Sequence, residues 1–450
     1  MKTYKNLYKQ IYDFENLYQA YLNARRNKRF REGVLRFSAN LEENLIDLQN
    51  NLIYQTYKVG EYRERIVHIP KKRIIMILPF RDRVLQWAIY RIINPLFERS
   101  FIPTSYGCIK GRGGLRAVQK LQYWLRLTDK EPEKHYALQM DIKKYFFRIP
   151  HDILLGILRE KVADDRVMWL FDTIINDPQK AFGLPPNVVS LENAERLWGI
   201  GMPVGNLTSQ MLANIVLDKV DQYIKRVLRV KYYIRYNDNM LIIGKDKQEL
   251  HRIEAQVGRF IHENLCLEFS ATSIQPTHSG ITFVGYRIWS DKLILRKPTS
   301  LRMKQRLKTV QHLYGSGTIP LEKALSSISS YLGMMSHCTN TCLRDKVLED
   351  FVLVRHSQNY DIYSELCCYE LLSEAYDSSY MLLDDLPESE GDWIAGIYNM
   401  LVSGSYVPGL DPDCDTTVLA AIGIALKRRR LKPGEADKKT RNIISCLTLT

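Results

Sequence analysis

Apolar residues recur at intervals of three and four positions through the first 55 residues. The stretch FENLYQAYLNARRNKRFREGVLRFSANLEENLIDLQNNL, residues 14–52, keeps this spacing almost throughout. Such spacing places apolar side chains on one face of an α-helix. It predicts a helical region over residues 1–55. The basic run ARRNKRFRE within it is more often the solvated end of a helix than a binding site by itself.

The pattern changes after residue 60. YRERIVHIPKKRIIMILPF, residues 62–80, contains two apolar runs of β type on either side of Pro70–Arg73 and predicts a hairpin. RDRVLQWAIYRIINPLFERSF, residues 81–101, returns to helical spacing. SYGCIKGRGG, residues 105–114, is a glycine-rich basic loop that enters another helix.

Strand and helix patterns alternate beyond residue 135. HYALQMDIKKYFFRI begins as a strand that ends at Asp141, and GMPVGNLTSQMLANIVLDKVDQYIKRVL is a tight loop followed by a long helix. GITFVGYRIWSDKLILR is a second hairpin, residues 299–356 have a helical and basic pattern, and acidic loops follow residue 366. Hairpins mixed with helices predict the α+β class.

Asn237-Asp238-Asn239 interrupts the middle of an apolar β-run, YIRYNDNMLIIG. Burying a carboxylate in such a strand costs several kcal/mol unless a cation compensates it. An Asn-Asp-Asn sequence between two β-runs is also an ordinary hairpin turn. The stretch is therefore either a simple hairpin or a hairpin whose turn holds a metal ion.

The charge balance indicates a polyanionic partner. Lys and Arg number 64 against 50 Asp and Glu, a formal net charge of +14. Nucleic acid is favoured over a membrane surface as the partner, and a solvated basic surface is the alternative.

Cysteine usage and the N-terminus predict a cytoplasmic protein with no membrane association. The eight cysteines are scattered, and the cluster of His337, Cys338 and Cys342 lacks a second ligand pair at zinc spacing. We expect all eight to be reduced thiols. The N-terminus has no continuous apolar core of a signal peptide, and no apolar run reaches 18 residues.

Two carboxylates are predicted at the ends of strands. Asp141 ends one strand, and Asp238 lies at the turn of a hairpin. Adjacent antiparallel strands would bring both to one edge of a sheet. Phosphoryl transfer needs positioning and divalent metals above all, and carboxylates that hold two Mg²⁺ ions about 3.5–4 Å apart provide both. An isolated Asp near a strand end is more often a cap or a turn former.

The order of these motifs resembles that of the reverse transcriptases, and within them the bacterial enzymes of diversity-generating retroelements. MDIKKYFFRI resembles the first palm motif, GMPVGNLTSQMLANI the template-contacting loop and helix, RYNDNMLII the Tyr-x-Asp-Asp box, and GITFVGY the primer-grip hairpin. KKRIIMILPFRDRVLQ and SYGCIKGRGG resemble finger motifs, and NLEENLIDLQNNL and SSYLGMMSHCTNTCLRD the N-terminal and thumb helices. The resemblance covers residues 10–355, and the sub-family assignment depends mainly on VGNLTSQ.

The resemblance implies an α+β right-hand polymerase with fingers, a ferredoxin-like palm built on an antiparallel sheet, a helical thumb and a C-terminal extension. The implied domains are, in chain order, an N-terminal helical region (residues 1–55), the fingers (56–120), the palm with finger insertions (121–297), the thumb (298–365) and an extension of unassigned role (366–450).

The resemblance also implies the residues that bind metal and the triphosphate. Asp141 and Asp238, with the backbone carbonyl of Ile142, would hold both ions, and Asn239 completes the catalytic turn. Arg73 would clamp the triphosphate with Lys71 or Lys72, because a guanidinium offers a bidentate fork to phosphate oxygens. Lys71 and Lys72 are equally well explained as solvated turn residues.

Further positions carry substrate and primer roles by the same resemblance. Phe146 matches the steric gate, a side chain that collides with a ribose 2′-hydroxyl, and its alternative is core packing. Val204, Gly205 and Gln210 would adjoin the nascent base pair and template, Gly205 through its missing Cβ; Gln210 is otherwise a polar residue at a helix start. Tyr236, Gly285 and Tyr286 would support primer and template; the last two are otherwise a turn and a core aromatic.

Three departures from the family pattern change the expected chemistry. Asn239 replaces a second Asp, so the site has two firm carboxylates and is expected to work better with Mn²⁺ than with Mg²⁺. Val204 replaces a Gln that checks the incoming pair, which predicts lower fidelity, chiefly opposite adenine. LCLEFSATSIQP lacks the Lys proposed as general acid for pyrophosphate.

The resemblance implies an RNA-directed DNA polymerase that makes cDNA by two-metal phosphoryl transfer and is error-prone. Its expected partners are template RNA, the RNA–cDNA hybrid, deoxynucleoside triphosphates and a small basic accessory protein. The alternatives are a phage-defence reverse transcriptase and a catalytically weak palm that acts as an RNA-binding scaffold. Intron splicing is less favoured, because no maturase-like or endonuclease segment is evident in the sequence.

Overall fold

The computed structural model describes residues 3–67, 73–185, 188, 194–339 and 341–354. The chain divides into two compact units, Met1–Asp291 and Lys292–Thr450. None of the helices in the described part of the chain is both long and apolar enough to cross a membrane.

Four helices form the N-terminal region, as the apolar spacing predicts. They are α1 (Tyr8–Tyr12), α2 (Phe14–Arg25), α3 (Glu32–Ala39) and α4 (Leu41–Ile53). Asp13 begins α2 by accepting a hydrogen bond from the backbone N–H of Asn16, which satisfies an otherwise unpaired donor of the first turn. The buried face of α2 packs against α5 (Phe80–Glu98).

A short hairpin precedes α5. Its strands are β1 (Arg63–Val67) and β2 (Arg73–Ile77), paired antiparallel from Arg63 opposite Ile77 to Val67 opposite Arg73. Ile74 and Met76 of β2 are buried while Arg73 is exposed, the alternation expected of a half-buried strand. The turn between the strands, residues 68–72, lies outside the described residues.

The central sheet has four antiparallel strands in the order β4-β5-β3-β6. They are β3 (Tyr136–Ile142), β4 (Tyr232–Tyr236), β5 (Asn239–Gly244) and β6 (Phe269–Pro276). The helices between β3 and β4 are α7 (Tyr145–Arg148), α8 (His151–Arg159), α9 (Asp165–Ile175) and α10 (Leu207–Gln222), with a π-helical turn at Tyr223–Val227. α11 (Lys247–Leu265) joins β5 to β6. This order is the ferredoxin-like topology that the resemblance implies.

The core explains why β5 is apolar along its length. Met240, Leu241, Ile242 and Ile243 are all buried, so both faces of this strand are covered. The outer edge of β4 is covered as well. Ser105, in the connection from α5 to α6 (Gly114–Thr128), forms a parallel bridge with Arg235 of β4.

A third hairpin, after β1–β2 and β4–β5, ends the first unit. It consists of β7 (Ile281–Phe283) and β8 (Tyr286–Ile288) and follows a 3₁₀ turn at Thr277–Ser279.

The second unit contains β9 (Leu293–Leu295) and the helices α12 (Lys297–Gly315), α13 (Leu321–Met335) and α14 (Cys342–Asp350). Val310, Tyr314, Ile319 and Ala324 form its small apolar core. The predicted helical pattern over residues 299–356 is thus present in the described residues, while the predicted extension, residues 366–450, lies outside them.

Candidate active site

The register of β3 and β5 brings the two predicted carboxylates to one edge of the sheet. Asp141 lies directly opposite Asn239, and Asp238 precedes Asn239 in a two-residue turn between β4 and β5. Asn237, the other turn residue, has φ +54°, a left-handed conformation that Asn tolerates. The hairpin interpretation of YIRYNDNMLIIG is therefore correct, and its turn adjoins Asp141.

The pKa of the Asp238 carboxyl shows that it shares its surroundings with Asp141. Burial raises this pKa, and the negative charge of Asp141 raises it further. The positive charges of Arg73 and Arg235 act in the opposite direction. Two half-buried carboxylates that repel each other are a ligand set that a divalent cation would stabilise, since Mg²⁺ prefers carboxylate oxygens.

A residue that sequence analysis missed, Ser270, contacts Asp141. The pairing of β3 with β6 is irregular here, because Asp141 lies opposite Ala271 and Ile142 opposite Phe269. The Ser270 hydroxyl lies 3.1 Å from both the backbone oxygen and Oδ2 of Asp141. A bulge of this kind often redirects a side chain near an active site, and here the serine hydroxyl contacts the first of the two predicted carboxylates.

Asn239 limits the number of acidic ligands. Its side chain is exposed at the first position of β5. Among the described residues, no group of three or more His, Cys, Asp or Glu side chains is placed to hold a metal ion. Any ion here would therefore be held by two carboxylates, with further ligands from carbonyl or amide oxygens. Ile142, whose carbonyl is the expected third ligand, is the last residue of β3.

Arg73 is close enough to Asp238 for its positive charge to lower the pKa of that carboxyl. The sequence pattern placed Arg73 in the turn before β2. In the structure it is instead the exposed first residue of β2. Lys71 and Lys72, the other expected triphosphate ligands, lie outside the described residues.

Phe146 lies on α7, just beyond the end of β3. It is half-buried against the main core, and its ring makes an edge contact with Tyr145 at a centroid distance of 5.7 Å. The backbone oxygen of Phe146 accepts a hydrogen bond of 2.7 Å from the N–H of Met202. This bond fixes α7 to the loop that contains Val204 and Gly205.

The same loop is bonded to the β1–β2 hairpin. The N–H of Met76 donates to the Val204 carbonyl at 2.9 Å. Gly205 has φ +111°, and a Cβ there would lie 2.8 Å from Cγ2 of Ile75. Glycine is therefore required at position 205, both by its backbone conformation and by the approach of β2. Gln210 is half-buried in the first turn of α10.

The end of the glycine-rich loop, at Gly114, lies against both the β4–β5 hairpin and the β7–β8 hairpin. A Cβ on Gly114 would lie 2.7 Å from Cγ1 of Val284 and 3.7 Å from Cε2 of Tyr236. Val284 and Gly285 both have positive φ, as a two-residue β-hairpin turn requires, and Tyr286 is buried beside them. Tyr236 and the Val284–Gly285 turn thus adjoin one segment, and burial raises the pKa of Tyr236.

Sequence analysis also missed the polar residues beneath the Asn237–Asp238 turn. Arg235 and Asp221 are fully buried and form a salt bridge in which Nη2 lies 2.7 Å from Oδ2. Asn214 lies beside them and is buried too. An arginine within an apolar strand signals a buried partner, but the sequence does not identify which acid provides it.

Comparison with known proteins identifies residues 66–288 as matching the family described as "Reverse transcriptase (RNA-dependent DNA polymerase)". The matched segment contains both carboxylates and the four-stranded sheet. With the ferredoxin-like strand order, this match confirms the predicted right-hand polymerase fold.

Two relatives are similar over about three fifths of this chain. Protein YkfC of Escherichia coli (strain K12) is 25% identical over 310 residues, which are 60% of this chain and 74% of YkfC. The group II intron-encoded protein LtrA of Lactococcus lactis subsp. cremoris is 23% identical over 362 residues, 64% of this chain and 57% of LtrA. The chain therefore spans just over half the length of LtrA.

Among solved structures, an apo telomerase from Candida tropicalis, truncated from its C-terminal domain, is similar with a TM-score of 0.37 at 12% identity. The similarity covers 56% of this chain and 59% of that chain.

Proposed function

We propose that the chain is an RNA-directed DNA polymerase that copies a template RNA into cDNA, because residues 66–288 match the reverse transcriptase family. The observation that carries the proposal is the placement of Asp141 and Asp238 at one sheet edge, where the negative charge of Asp141 raises the pKa of Asp238. A polymerase site needs such a pair, whereas a scaffold that only binds RNA does not.

Asp141 and Asp238, with the Ile142 carbonyl, would hold two Mg²⁺ ions. When bound, such ions activate the primer 3′-hydroxyl and stabilise the pyrophosphate that leaves. Ser270 would orient the Asp141 carboxylate through its hydrogen bond to Oδ2. The positive charge of Arg73 acts on Asp238. Arg73 would bind the triphosphate, together with Lys71 or Lys72.

The residues around the incoming nucleotide would select it by shape. Phe146 would exclude a ribose 2′-hydroxyl, and Gly205 would let the backbone approach the new base pair. Val204 and Gln210 would line the template side, and Tyr236, Gly285 and Tyr286 would support the primer end. The bonds that link Phe146, Met202, Val204 and Met76 would keep these contacts in register.

We further propose that synthesis is error-prone and that the chain serves a diversity-generating retroelement with a small basic accessory protein. The supporting residues are Val204, which cannot check the incoming pair by hydrogen bonding, and the VGNLTSQ loop of the resemblance. Neighbouring DNA distinguishes this role from phage defence, because only the former requires a template repeat paired with a variable repeat and an accessory gene.

A second candidate function is RNA-directed DNA synthesis for a group II intron, and the similarity to LtrA favours it. A co-purified or flanking intron RNA that stimulates cDNA synthesis would support this role over the first.

The test of polymerase activity is extension of a DNA primer on an RNA template with Mg²⁺ or Mn²⁺. Asp141→Asn and Asp238→Asn keep side-chain size but remove the charge, so both should abolish extension while the fold, followed by circular dichroism, is retained. Asp129→Asn, at the exposed end of α6, is the matched control and should extend normally. A folded Asp141→Asn protein with wild-type extension would contradict the two-metal assignment.

A further inference from the structure

Arg235 provides the most deeply buried positive charge near the catalytic turn. It is the largest fully buried side chain of the described residues and lies one strand position before Tyr236. Its Nε and Nη2 atoms donate to both oxygens of Asp221 at 2.7–3.0 Å. Burial acts to lower the pKa of Arg235, but the Asp221 carboxylate outweighs it and raises that pKa above its ordinary value. The guanidinium is thus a permanent cation.

The remaining nitrogen of Arg235 contacts the turn. Nη1 donates to the backbone oxygen of Asn237 at 3.0 Å and to Oδ1 of Asn214 at 3.0 Å. Asn237 immediately precedes Asp238, so this bond fixes the peptide that carries the catalytic carboxylate. A buried ion pair alone is weak evidence of a stabilising role, since apolar residues of similar volume often serve as well. An apolar residue could not hold the Asn237 carbonyl.

Asn214 connects Arg235 to the glycine-rich loop. Its Nδ2 donates to the carbonyl of Gly107 at 2.9 Å. Gly107 lies directly against the turn, because a Cβ at this position would approach the backbone nitrogen of Asn237 to 2.5 Å. The thiol of Cys108 then donates to Oδ1 of Asn237 at 3.6 Å. The turn is therefore held from below by Arg235 and from the side by residues 107 and 108.

We propose that Asn214 and Arg235 are positioning residues for the polymerase site, which hold the Asn237–Asp238 turn so that Asp238 meets Asp141 with the geometry metal binding needs. The proposal rests on the polymerase function proposed above. Arg235 acts on Asp238 through its bond to the backbone oxygen of Asn237. Asn214 acts on the turn indirectly, through its bonds to Arg235 and Gly107. Groups that orient a metal ligand commonly change metal affinity or activity about 10- to 100-fold when they are removed.

Asn214→Ala is the variant that tests the proposal with the least damage to the fold. It deletes the bonds to Gly107 and Arg235 but leaves the Arg235–Asp221 salt bridge in place. Removing Arg235 itself would strand a buried carboxylate and unfold the protein. Tyr233→Phe is the matched control. The Tyr233 hydroxyl donates to Oδ1 of the same Asp221 at 2.7 Å, is equally buried, and makes no bond to the turn.

The first measurement is primer extension against Mg²⁺ concentration. We expect Asn214→Ala to raise the Mg²⁺ half-saturation concentration or lower kcat by about 10-fold or more. Tyr233→Phe should stay within about twofold of wild type in both constants, the scatter expected of an uncoupled site. Both variants are expected to have lower melting temperatures. Only Asn214→Ala is expected to displace the Asn237–Asp238 turn, so only its activity should fall by more than its melting temperature explains.

The second measurement reports on the turn without polymerase activity. Cys108 is exposed, and its thiol contacts Asn237, so a displaced turn should change its rate of alkylation by a maleimide. Peptide-resolved mass spectrometry of the intact chain after timed labelling gives this rate, and exposed Cys266, at the end of α11, is the internal reference. Asn214→Ala should alter the Cys108 rate relative to Cys266, and Tyr233→Phe should not.

The two measurements keep the failure of each proposal distinct. A wild-type chain that extends no primer overturns the polymerase function, while Cys108 labelling still decides whether Asn214 fixes the turn. If Asn214→Ala and Tyr233→Phe lose activity equally and in proportion to their melting temperatures, the residues are structural only and the positioning role is wrong. Unchanged activity and unchanged Cys108 labelling in Asn214→Ala overturn it as well.

Discussion

Asp141 and Asn239 lie directly opposite each other in the antiparallel register of β3 and β5. A neutral amide therefore occupies the position that faces Asp141, where the reverse transcriptases that the motifs resemble usually have a second Asp. The site therefore has two carboxylates, those of Asp141 and Asp238, instead of three. It also makes position 239 the natural place to test how much charge the site requires.

We predict that Asn239→Asp lowers the Mg²⁺ half-saturation concentration for primer extension and narrows the gap between Mn²⁺ and Mg²⁺. Mn²⁺ binds mixed nitrogen and oxygen ligands more tightly than Mg²⁺, which demands near-ideal octahedral geometry. The wild-type chain should therefore be more active with Mn²⁺ at equal, sub-saturating concentration. Titration of both ions against both proteins measures this. Identical Mg²⁺ half-saturation would mean that residue 239, the first residue of β5, is no metal ligand.

Phe146→Ala should admit ribonucleotides. If the ring is the steric gate, its removal should improve the ratio of ribonucleotide to deoxynucleotide incorporation roughly 10- to 100-fold, the range of steric discrimination in a pocket. Deoxynucleotide use should fall modestly, because Phe146 also packs against the core. Phe147→Ala is the control. The Phe147 ring contacts the guanidinium of Arg196, whereas the Phe146 ring contacts Tyr145. An unchanged preference in Phe146→Ala would assign the ring to packing.

Gly205→Ala should destabilise the protein and impair nucleotide binding together. A side chain at φ +111° is strained by about 1–3 kcal/mol, and the Cβ would also press on Ile75 of β2, the strand that Arg73 begins. We expect a lower melting temperature and a higher KM for deoxynucleoside triphosphates. Gly156→Ala, in open space on α8, is the matched control and should stabilise the helix by up to about 1 kcal/mol. A KM unaffected by Gly205→Ala would contradict the proposed role of this loop.

Template binding should be strongly dependent on salt, and Lys28 should contribute to it. Burial lowers the pKa of Lys28, and the charges of Arg83 and Arg31 lower it further, so these cations lie together. If Lys28 contacts phosphate, Lys28→Gln should reduce the slope of log K against log salt by about 0.7 on single-stranded RNA. Lys245→Gln is the control, because Lys245 already pairs with Glu131 and Glu133. Equal slopes for wild type and Lys28→Gln would exclude this contact.

The parts of the site that the sequence predicted depend on local pattern. Asp141 ends an apolar run, and Asp238 interrupts another, so strand pairing alone suffices to bring them together. Ser270 could not be predicted, since its contact with Asp141 arises from an irregularity in strand pairing that no pattern reveals. The boundaries proposed between fingers, palm and thumb remain predictions.

The partners of Arg235 could not be predicted for a different reason. A buried arginine requires a buried acid, but Asp221 and Asn214 lie on a helix whose apolar spacing gives no sign that their polar groups face inward. Only the packing of α10 against the sheet decides which polar residues meet. The position of Arg73 beside the carboxylates likewise depends on how the β1–β2 hairpin folds over the palm.

The bonds that hold the catalytic turn have a consequence for the time course of folding. The hairpin of β4 and β5 is local and can form within microseconds, but Gly107 meets Asn214 across 107 positions of the chain, and Cys108 meets Asn237 across 129. Contacts of such sequence separation are slow to form, because loop-closure entropy is lost before they are made. On dilution from denaturant, we therefore expect secondary structure, followed by far-ultraviolet circular dichroism, to recover well before primer extension does.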